Sequence, residues 1–274
     1  LGQVVLVGSL HFPILRILIM VGLVRMMLFR ETPSESRFPG GFNSLDKAVV
    51  LWAISGLVIV SLQWLQLQAF IKFAGDFLDT LGGYLVVRFL ITDRAAIRRM
   101  VKALAVICII HGATMINEQI TRVDVFGYLG GAAAEPVIRD GQVRANGLLG
   151  TIQSGVFAGT LIPLFLCLWT ERKSRIVAIG GIAGATAMVV ASATSTSYMA
   201  YAGSLAGLAF WPLRGMMRLI RWGLVAALVG LHLIMNGPVW SLIEKIDVTG
   251  GSSSYHRYML IDTLISHFSE WWLL

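Results

Sequence analysis

The stretch KAVVLWAISGLVIVSLQWL, residues 47 to 65, decides the fold class. Lys47 is its only charged residue, and at about 1.5 Å per residue a helix of this length can cross a hydrocarbon core of about 30 Å. The composition of the whole chain agrees, because hydrophobic residues make up 56% of it and charged residues only 14%, against about 25% in soluble domains. The mean hydropathy is +0.75. The sequence therefore predicts an all-α integral membrane protein.

About eight apolar runs of this kind predict transmembrane helices. They cover residues 12–29, 47–65, 69–91, 101–117, 151–170, 175–192, 197–213 and 219–236. We interpret residues 1–274 as a single polytopic membrane domain. Because the chain begins at Leu1 and stops at Leu274 without a polar tail, we expect it to be an internal fragment of a longer protein.

Basic residues mark one side of the predicted membrane. Arginines and lysines concentrate in alternate connections between the spans, at residues 30–47, 93–100, 171–175 and 214–221. The positive-inside rule places these connections in the cytoplasm. The two long connections, outer loops 118–150 and 237–274, then face outward. Topology thus accounts for the net charge of +7, and no nucleic-acid partner is expected.

The second outer loop ends in GGSSSYHRYMLIDTLISHFSEWWLL, residues 250–274. Ser254 is a suitable N-cap, and at about 100° per residue the apolar side chains gather on one side of the predicted helix. We expect an amphipathic helix over 255–272 that lies on the membrane surface and covers an outward-facing cavity. Its apolar arc consists of Ile261, Leu264, Ile265 and Phe268, and its first turn carries His256 and Arg257.

Two arginines in the outer loops are candidates for binding an anion. Arg144 stands at the start of the fifth predicted span, where its stem can lie along apolar surface while its guanidinium reaches an anionic group. The alternative is an arginine that snorkels or pairs with an acid. Arg257 falls near the apolar arc, so it needs an anion or a carboxylate such as Asp262 or Asp247 to meet it.

Other polar residues within the spans carry weaker functional signals. Arg16, Asp76 and Asp79 lie in or near the ends of spans, where ionisable side chains are costly. His111 and His232 are expected to form hydrogen bonds between helices. No group of His, Cys, Asp or Glu in the sequence has the spacing of a metal site, and neither a metal nor a cofactor is expected.

Several short motifs occur in a fixed order relative to the spans between residues 140 and 274. They are Arg144-Ala-Asn-Gly147, Ser192-Ala-Thr-Ser-Thr-Ser197, Pro238-Val-Trp240, Tyr255-His-Arg257, Asp262 and Glu270-Trp-Trp272. In this order they resemble the O-antigen ligase/polymerase-like membrane family, most closely its exopolysaccharide-associated branch. At the end of the sixth predicted span this chain has Thr194-Ser195-Thr196, where many members of that family have Ser-Arg.

This resemblance implies a metal-independent glycosyltransferase in the bacterial cytoplasmic (inner) membrane. Such enzymes take a glycan from an undecaprenyl-pyrophosphate carrier on the periplasmic face and polymerise it or transfer it to an acceptor glycan or lipid. The products are envelope polysaccharides or exopolysaccharides. Arg144 matches the family's arginine at the start of a span, and His256 and Arg257 match the basic motif of its large outer loop.

The same residues supply the chemistry that this reaction needs. Arginine forks can bind the oxygens of the leaving diphosphate without a metal, so Arg144 and Arg257 are the candidate pyrophosphate-binding residues. A base must also activate the acceptor hydroxyl. His256, beside Arg257, is the first candidate, and Glu270, about 20 Å further along a continuous helix, is the second.

Two other functions are compatible with the sequence. A polytopic transporter or flippase of glycans or lipid-linked substrates predicts helices that are broken at the membrane midplane, together with internal repeats. A non-catalytic membrane scaffold predicts that the outward-facing His, Arg and Glu residues have no role.

Overall fold

Helices form most of the regular structure. The computed structural model describes residues 4–7, 10–28, 41–128, 137–139, 141–245 and 253–271. The helices are α1 (Ile14–Leu28), α2 (Ser44–Trp64), α3 (Leu67–Phe77), α4 (Gly83–Leu90), α5 (Arg94–Thr121), α6 (Val125–Tyr128), α7 (Thr151–Cys167), α8 (Arg175–Ser192), α9 (Ser195–Ala209), α10 (Met217–Ile234), α11 (Leu242–Lys245), α12 (Ser253–Ser266) and α13 (Phe268–Trp271). Short 3₁₀ helices cover Leu168–Thr170, Arg172–Ser174, Trp211–Met216 and Val239–Ser241, and a π-helix covers Leu78–Gly82. Two antiparallel hairpins pair β1 (Val4–Val7) with β2 (Leu10–Pro13) and β3 (Val137–Arg139) with β4 (Gln142–Arg144).

Five helical segments in the described part of the chain are long and apolar enough to cross a membrane. They are Ser44–Trp64, Arg94–Thr121, Thr151–Thr170, Arg172–Ser192 and Trp211–Ile234. These segments agree with the predicted all-α membrane class. The predicted count of eight spans is not confirmed. The predicted span 69–91 is divided among α3, the π-helix and α4, and α1 and α9 have only 15 residues each. A helix of that length is about 22 Å long, short for a hydrocarbon core of about 30 Å.

The internal contacts of the chain divide it into two compact units, one ending at Met100 and the other beginning at Val101. The division falls within α5. The single polytopic domain predicted over residues 1–274 stays a prediction.

In the first unit a charged pair joins α1 to the π-helix. Arg16 donates through Nε to Oδ1 of Asp79 over 3.0 Å and through Nη2 to Oδ2 over 2.7 Å. Gly75 leaves the space for this guanidinium, because a Cβ there would lie 2.6 Å from its Nη atoms. The two charges therefore compensate each other within a unit built from apolar helices.

A capping box starts α2 and ties it to α4. The side chain of Asn43 accepts a hydrogen bond from the backbone N–H of Asp46, and the Asp46 carboxylate accepts one from the N–H of Asn43. The same carboxylate accepts hydrogen bonds from the Tyr84 hydroxyl and from Nε of Arg88. Asp46 is thus buried with its charge compensated.

In the second unit α7 is the central helix, and it packs against α8 and α9. The buried apolar side chains of this unit include Ala105, Cys108, Met115, Ala158, Ile162, Phe165, Ala185 and Met188. Helices α5 and α8 meet backbone to backbone, since a Cβ on Gly112 would lie 2.5 Å from the carbonyl oxygen of Gly184. Small residues that allow such close approach are typical of helix pairs in membranes.

Candidate functional site

The segment that follows Arg144 is held by two buried side chains of α5. The carboxylate of Glu118 accepts a hydrogen bond from the N–H of Asn146 over 2.7 Å and another from the N–H of Gly147 over 2.9 Å. The ring Nε2 of His111 accepts a third from the N–H of Leu148 over 2.9 Å. Glu118 is 1% exposed and His111 5% exposed. Three successive backbone donors are therefore satisfied by one helix.

Gly147 makes this arrangement possible. Its φ is +57°, a left-handed conformation that favours glycine. A Cβ at this position would also lie 2.4 Å from Nε2 of His111. The backbone can approach α5 this closely only because residue 147 has no side chain.

The opposite side of the segment is fixed by α7 and α8. The N–H of Ala145 donates to the carbonyl oxygen of Ala191 at the end of α8 over 3.0 Å. The hydroxyl of Ser154 donates to the carbonyl oxygen of Asn146 over 3.1 Å, and the hydroxyl of Thr151 donates to the Asn146 side chain. The segment Ala145–Leu148 thus lies between three helices.

Arg144 stands at the start of this segment, as the last residue of β4. Its Nε–H is buried and has no hydrogen-bond acceptor, and its side chain forms no ion pair with any residue that the structure describes. An acid partner, one of the alternatives considered from the sequence, is therefore not found in the described chain. A buried donor without an acceptor destabilises a protein by about 1–3 kcal/mol.

Arg257, on α12, reaches the first turn of α9. Its Nη2 donates to Oγ1 of Thr196 over 2.7 Å, and its Nη1 lies 3.6 Å from Sδ of Met199. The sequence predicted an anion or a carboxylate as partner. Asp262 instead accepts a hydrogen bond from Nε1 of Trp240 over 3.2 Å. Asp247 lies outside the described residues.

The outer helix differs from its prediction in extent. It begins at Ser253, so Ser254 is not its N-cap but a buried residue of its first turn. It ends at Ser266, and after a turn at His267 the short helix α13 follows. The predicted continuous helix over 255–272 is therefore wrong. Local hydrogen bonds favour the break, because the ring of His267 lies within hydrogen-bonding distance of the Ser266 hydroxyl and the Thr263 carbonyl.

The side of α12 that faces the protein is more polar than the sequence predicted. Ser254 is buried, and Arg257 and Asp262 are half-buried and hydrogen-bonded. The predicted apolar arc is largely exposed, with Leu264 at 40% and Phe268 at 60%. Contact between that arc and lipid stays a prediction.

The four predicted site residues thus fall into two groups. The Arg144 segment bonds to Ala191 in the last turn of α8, and Arg257 bonds to Thr196 in the first turn of α9. His256 is exposed beside Arg257 and forms no hydrogen bond with a described residue. Glu270 is exposed in α13, beyond the break at His267, and has no side-chain hydrogen bond to the described chain.

Sequence reasoning missed Glu118 as part of this site. The predicted span ended at residue 117, which assigned Glu118 to an outer loop, whereas α5 continues to Thr121. His111 was expected to form a hydrogen bond between helices, and its partner proves to be the backbone of Leu148. One signal was available in the sequence. His111 and Glu118 are seven residues apart, so they lie on the same face of a helix, two turns from each other.

Within the described chain, no group of three or more His, Cys, Asp or Glu side chains could hold a metal ion. Comparison of the chain with known protein families, with curated proteins and with solved structures finds no match.

Proposed function

We propose that this protein is a membrane glycosyltransferase of the O-antigen ligase/polymerase type. It transfers or polymerises glycan from an undecaprenyl-pyrophosphate carrier, on the periplasmic face of the bacterial cytoplasmic membrane. The acceptor is a glycan or a lipid. The observation that carries the proposal is the buried Nε–H of Arg144, which has no acceptor among the described residues.

The role of Arg144 follows from the chemistry of the leaving group. When the bond between the sugar and the pyrophosphate breaks, negative charge grows on the diphosphate oxygens. A guanidinium is suited to that charge, because its planar fork donates two parallel hydrogen bonds to oxygens and stays protonated. A diphosphate oxygen at Arg144 would also satisfy the buried Nε–H.

Arg257 adds a second cation, which is anchored to the first turn of α9, while the Arg144 segment is bonded to the last turn of α8. Its hydrogen bond to Thr196 uses one of the five N–H donors of the guanidinium. The contact with Met199 is a weak one, because a thioether sulfur is a poor acceptor. Arg257 therefore retains donors for a diphosphate oxygen while Thr196 fixes its position.

His256 is the candidate base. It is exposed and has no hydrogen-bonding partner in the described chain, so its ring is available to an acceptor hydroxyl. Glu270 is also exposed and is therefore a candidate. It ranks second because it lies on the far side of the break at His267. General-base catalysis of this kind contributes about 10²–10⁴-fold to a rate.

The test is transfer activity of the full chain in lipid nanodiscs, with an undecaprenyl-pyrophosphate-linked glycan as donor. Arg144→Ala should lose about 10²–10³-fold in rate if the guanidinium stabilises the transition state. Arg122→Ala is the matched control, because Arg122 is an exposed arginine at the end of α5. An Arg144→Ala variant as active as Arg122→Ala would contradict the proposal.

One observation favours the second candidate function, a transporter or flippase. A cavity of about 180 Å³ between α2 and α3 is lined by apolar side chains that include Trp52 and Phe73, and by Asp76. Asp76 is exposed and forms no hydrogen bond with a described residue. A carboxylate beside a candidate span is costly in lipid and often marks a substrate or proton pathway. Transport predicts that Asp76→Asn abolishes movement of a labelled lipid-linked glycan across vesicle membranes.

A further inference from the structure

No described side chain forms a hydrogen bond or an ion pair that could orient the guanidinium of Arg144. No hydrogen-bond acceptor meets its Nε, and no carboxylate in the described chain pairs with it. An arginine side chain has about 2 kcal/mol of rotamer entropy to lose when it is fixed. The backbone from which it projects and the packing that buries its Nε therefore have to set its direction.

That backbone is fixed by Glu118 and His111. The acceptors are arranged in series, with Oε1 on the N–H of Asn146, Oε2 on the N–H of Gly147 and Nε2 on the N–H of Leu148. Both side chains come from the same face of α5. The helix also anchors the preceding strand β4, since Nε2 of Gln119 donates to the carbonyl oxygen of Val143 over 3.3 Å. Arg144 is thus enclosed by anchored residues on both sides.

A carboxylate is a costly way to close a loop. Glu118 is 1% exposed and forms no ion pair with a described residue, so its burial is compensated only by the two backbone donors. Hydrogen bonds to a charged acceptor are roughly twice as strong as those between neutral groups. The segment immediately after Arg144 is therefore held by charge-assisted hydrogen bonds.

We infer that Glu118 and His111 are positioning residues that fix the guanidinium of Arg144 in its binding direction. Both side chains accept hydrogen bonds from the backbone N–H groups of the segment. They therefore act on Arg144 through its backbone and not by contact with the substrate. The inference rests on the proposed function only for the identity of the anion. The placement of Arg144 can be measured without it.

The experiment measures the chemical reactivity of Arg144 in the full-length protein in nanodiscs. Phenylglyoxal modifies accessible guanidinium groups, and mass spectrometry reports the rate at each arginine. Glu118→Gln is the main variant, because its amide keeps one acceptor oxygen but turns an NH₂ group toward the second backbone donor. Glu171→Gln is the matched control, because Glu171 pairs with Lys102 over 3.7 Å and follows the C-terminal end of α7, whereas the segment precedes its N-terminal end.

Glu118→Gln should change the modification rate of Arg144 several-fold while leaving the exposed Arg218 at its original rate. Inorganic pyrophosphate should protect Arg144 from phenylglyoxal in the protein without substitutions. The concentration that gives half protection should rise about tenfold in Glu118→Gln, because charge-assisted clamps are strong and small misplacements weaken binding. Glu171→Gln should match the unmodified protein in both measurements.

Unchanged reactivity and unchanged protection in Glu118→Gln would overturn the inference. If the reactivity of Arg144 changes in that variant but pyrophosphate never protects the protein without substitutions, the positioning role stands and the proposed function fails.

Should Glu118→Gln not fold, His111→Leu serves in its place, since it removes the single acceptor of the Leu148 N–H. A smaller effect of about threefold is then expected, because only a neutral hydrogen bond is lost, and an unchanged Arg144 in His111→Leu overturns the inference as well.

Discussion

The Nη2 of Arg257 lies 2.7 Å from Oγ1 of Thr196, and this hydrogen bond joins the outer helix α12 to the first turn of α9. Thr196 belongs to the Thr194-Ser195-Thr196 motif, which covers the end of the connection after α8 and the first turn of α9. The motif thus meets Arg257 of α12. The contact gives the motif a physical role, which is to orient a cation that the sequence itself supplies from residue 257.

Thr196→Val should therefore lower glycan transfer without removing a charge. Valine has nearly the shape of threonine but cannot accept the hydrogen bond, so Arg257 loses its anchor. A hydrogen bond to a charged group contributes about 1.5–3 kcal/mol, and we expect the rate to fall by about 10- to 10²-fold. Arg257→Ala should reduce it further, because the cation itself is lost. Equal rates for Thr196→Val and the unmodified protein would show that the contact has no functional role.

His256→Ala is expected to lower the rate of transfer by about 10²-fold or more, as for loss of a general base. His267→Ala provides the control, because His267 is an exposed histidine at the end of the same helix and bonds only to its own neighbourhood. Both variants should be inserted and produced normally, since neither side chain is buried. If the two variants transfer glycan equally well, the base must be sought elsewhere, with Glu270 as the next residue to change.

Arg144→Lys separates the geometry of the guanidinium from its charge. Lysine keeps the positive charge but presents a compact ammonium that cannot form the two parallel hydrogen bonds of an arginine fork. Activity should therefore fall well below that of the unmodified protein, yet stay above that of Arg144→Ala. Protein yield should be unchanged. Full activity in Arg144→Lys would mean that a point charge suffices and that bidentate binding of a diphosphate is wrong.

The contact between Trp240 and Asp262 should stabilise the docking of α12. Trp240→Phe keeps an aromatic ring to stack on His232 but removes the N–H that Asp262 accepts. We expect a loss of about 1–3 kcal/mol in the local stability of α12, measured as faster amide hydrogen exchange in residues 253–266. Trp222→Phe is the control, because Trp222 is 69% exposed on α10. The same exchange rate in both variants would contradict a docking role.

The features of the fold that depend on local composition could be predicted from the sequence. The apolar run 175–192 became α8 with the same bounds, and Arg144 lies at the mouth of a helical span, just before α7. The contacts that build the site could not be predicted in this way. Glu118 is 28 positions from Asn146, and Arg257 is 61 positions from Thr196. Such pairs depend on how helices pack and on the left-handed backbone at Gly147, which no local pattern specifies.

The predicted orientation in the membrane can be decided by cysteine labelling in intact cells. The background should carry Cys167→Ser, because Cys167 is exposed whereas Cys108 is buried. Ser174, in the third basic connection, is buried beside Glu171, so a cysteine there would stay unlabelled on either side of the membrane.

The exposed neighbour Lys173 is the better position for the cytoplasmic side, and Gln142 is a suitable exposed position in the first outer loop. If the positive-inside rule assigns the sides correctly, an impermeant maleimide labels Gln142→Cys in intact cells, and labels Lys173→Cys only after the membrane is opened. Both positions are solvent-exposed, so a difference between them reports the side of the membrane. Labelling of Lys173→Cys in intact cells, with none of Gln142→Cys, would reverse the topology. It would place Arg144 and its segment on the cytoplasmic side, where a periplasmic transferase could not use them.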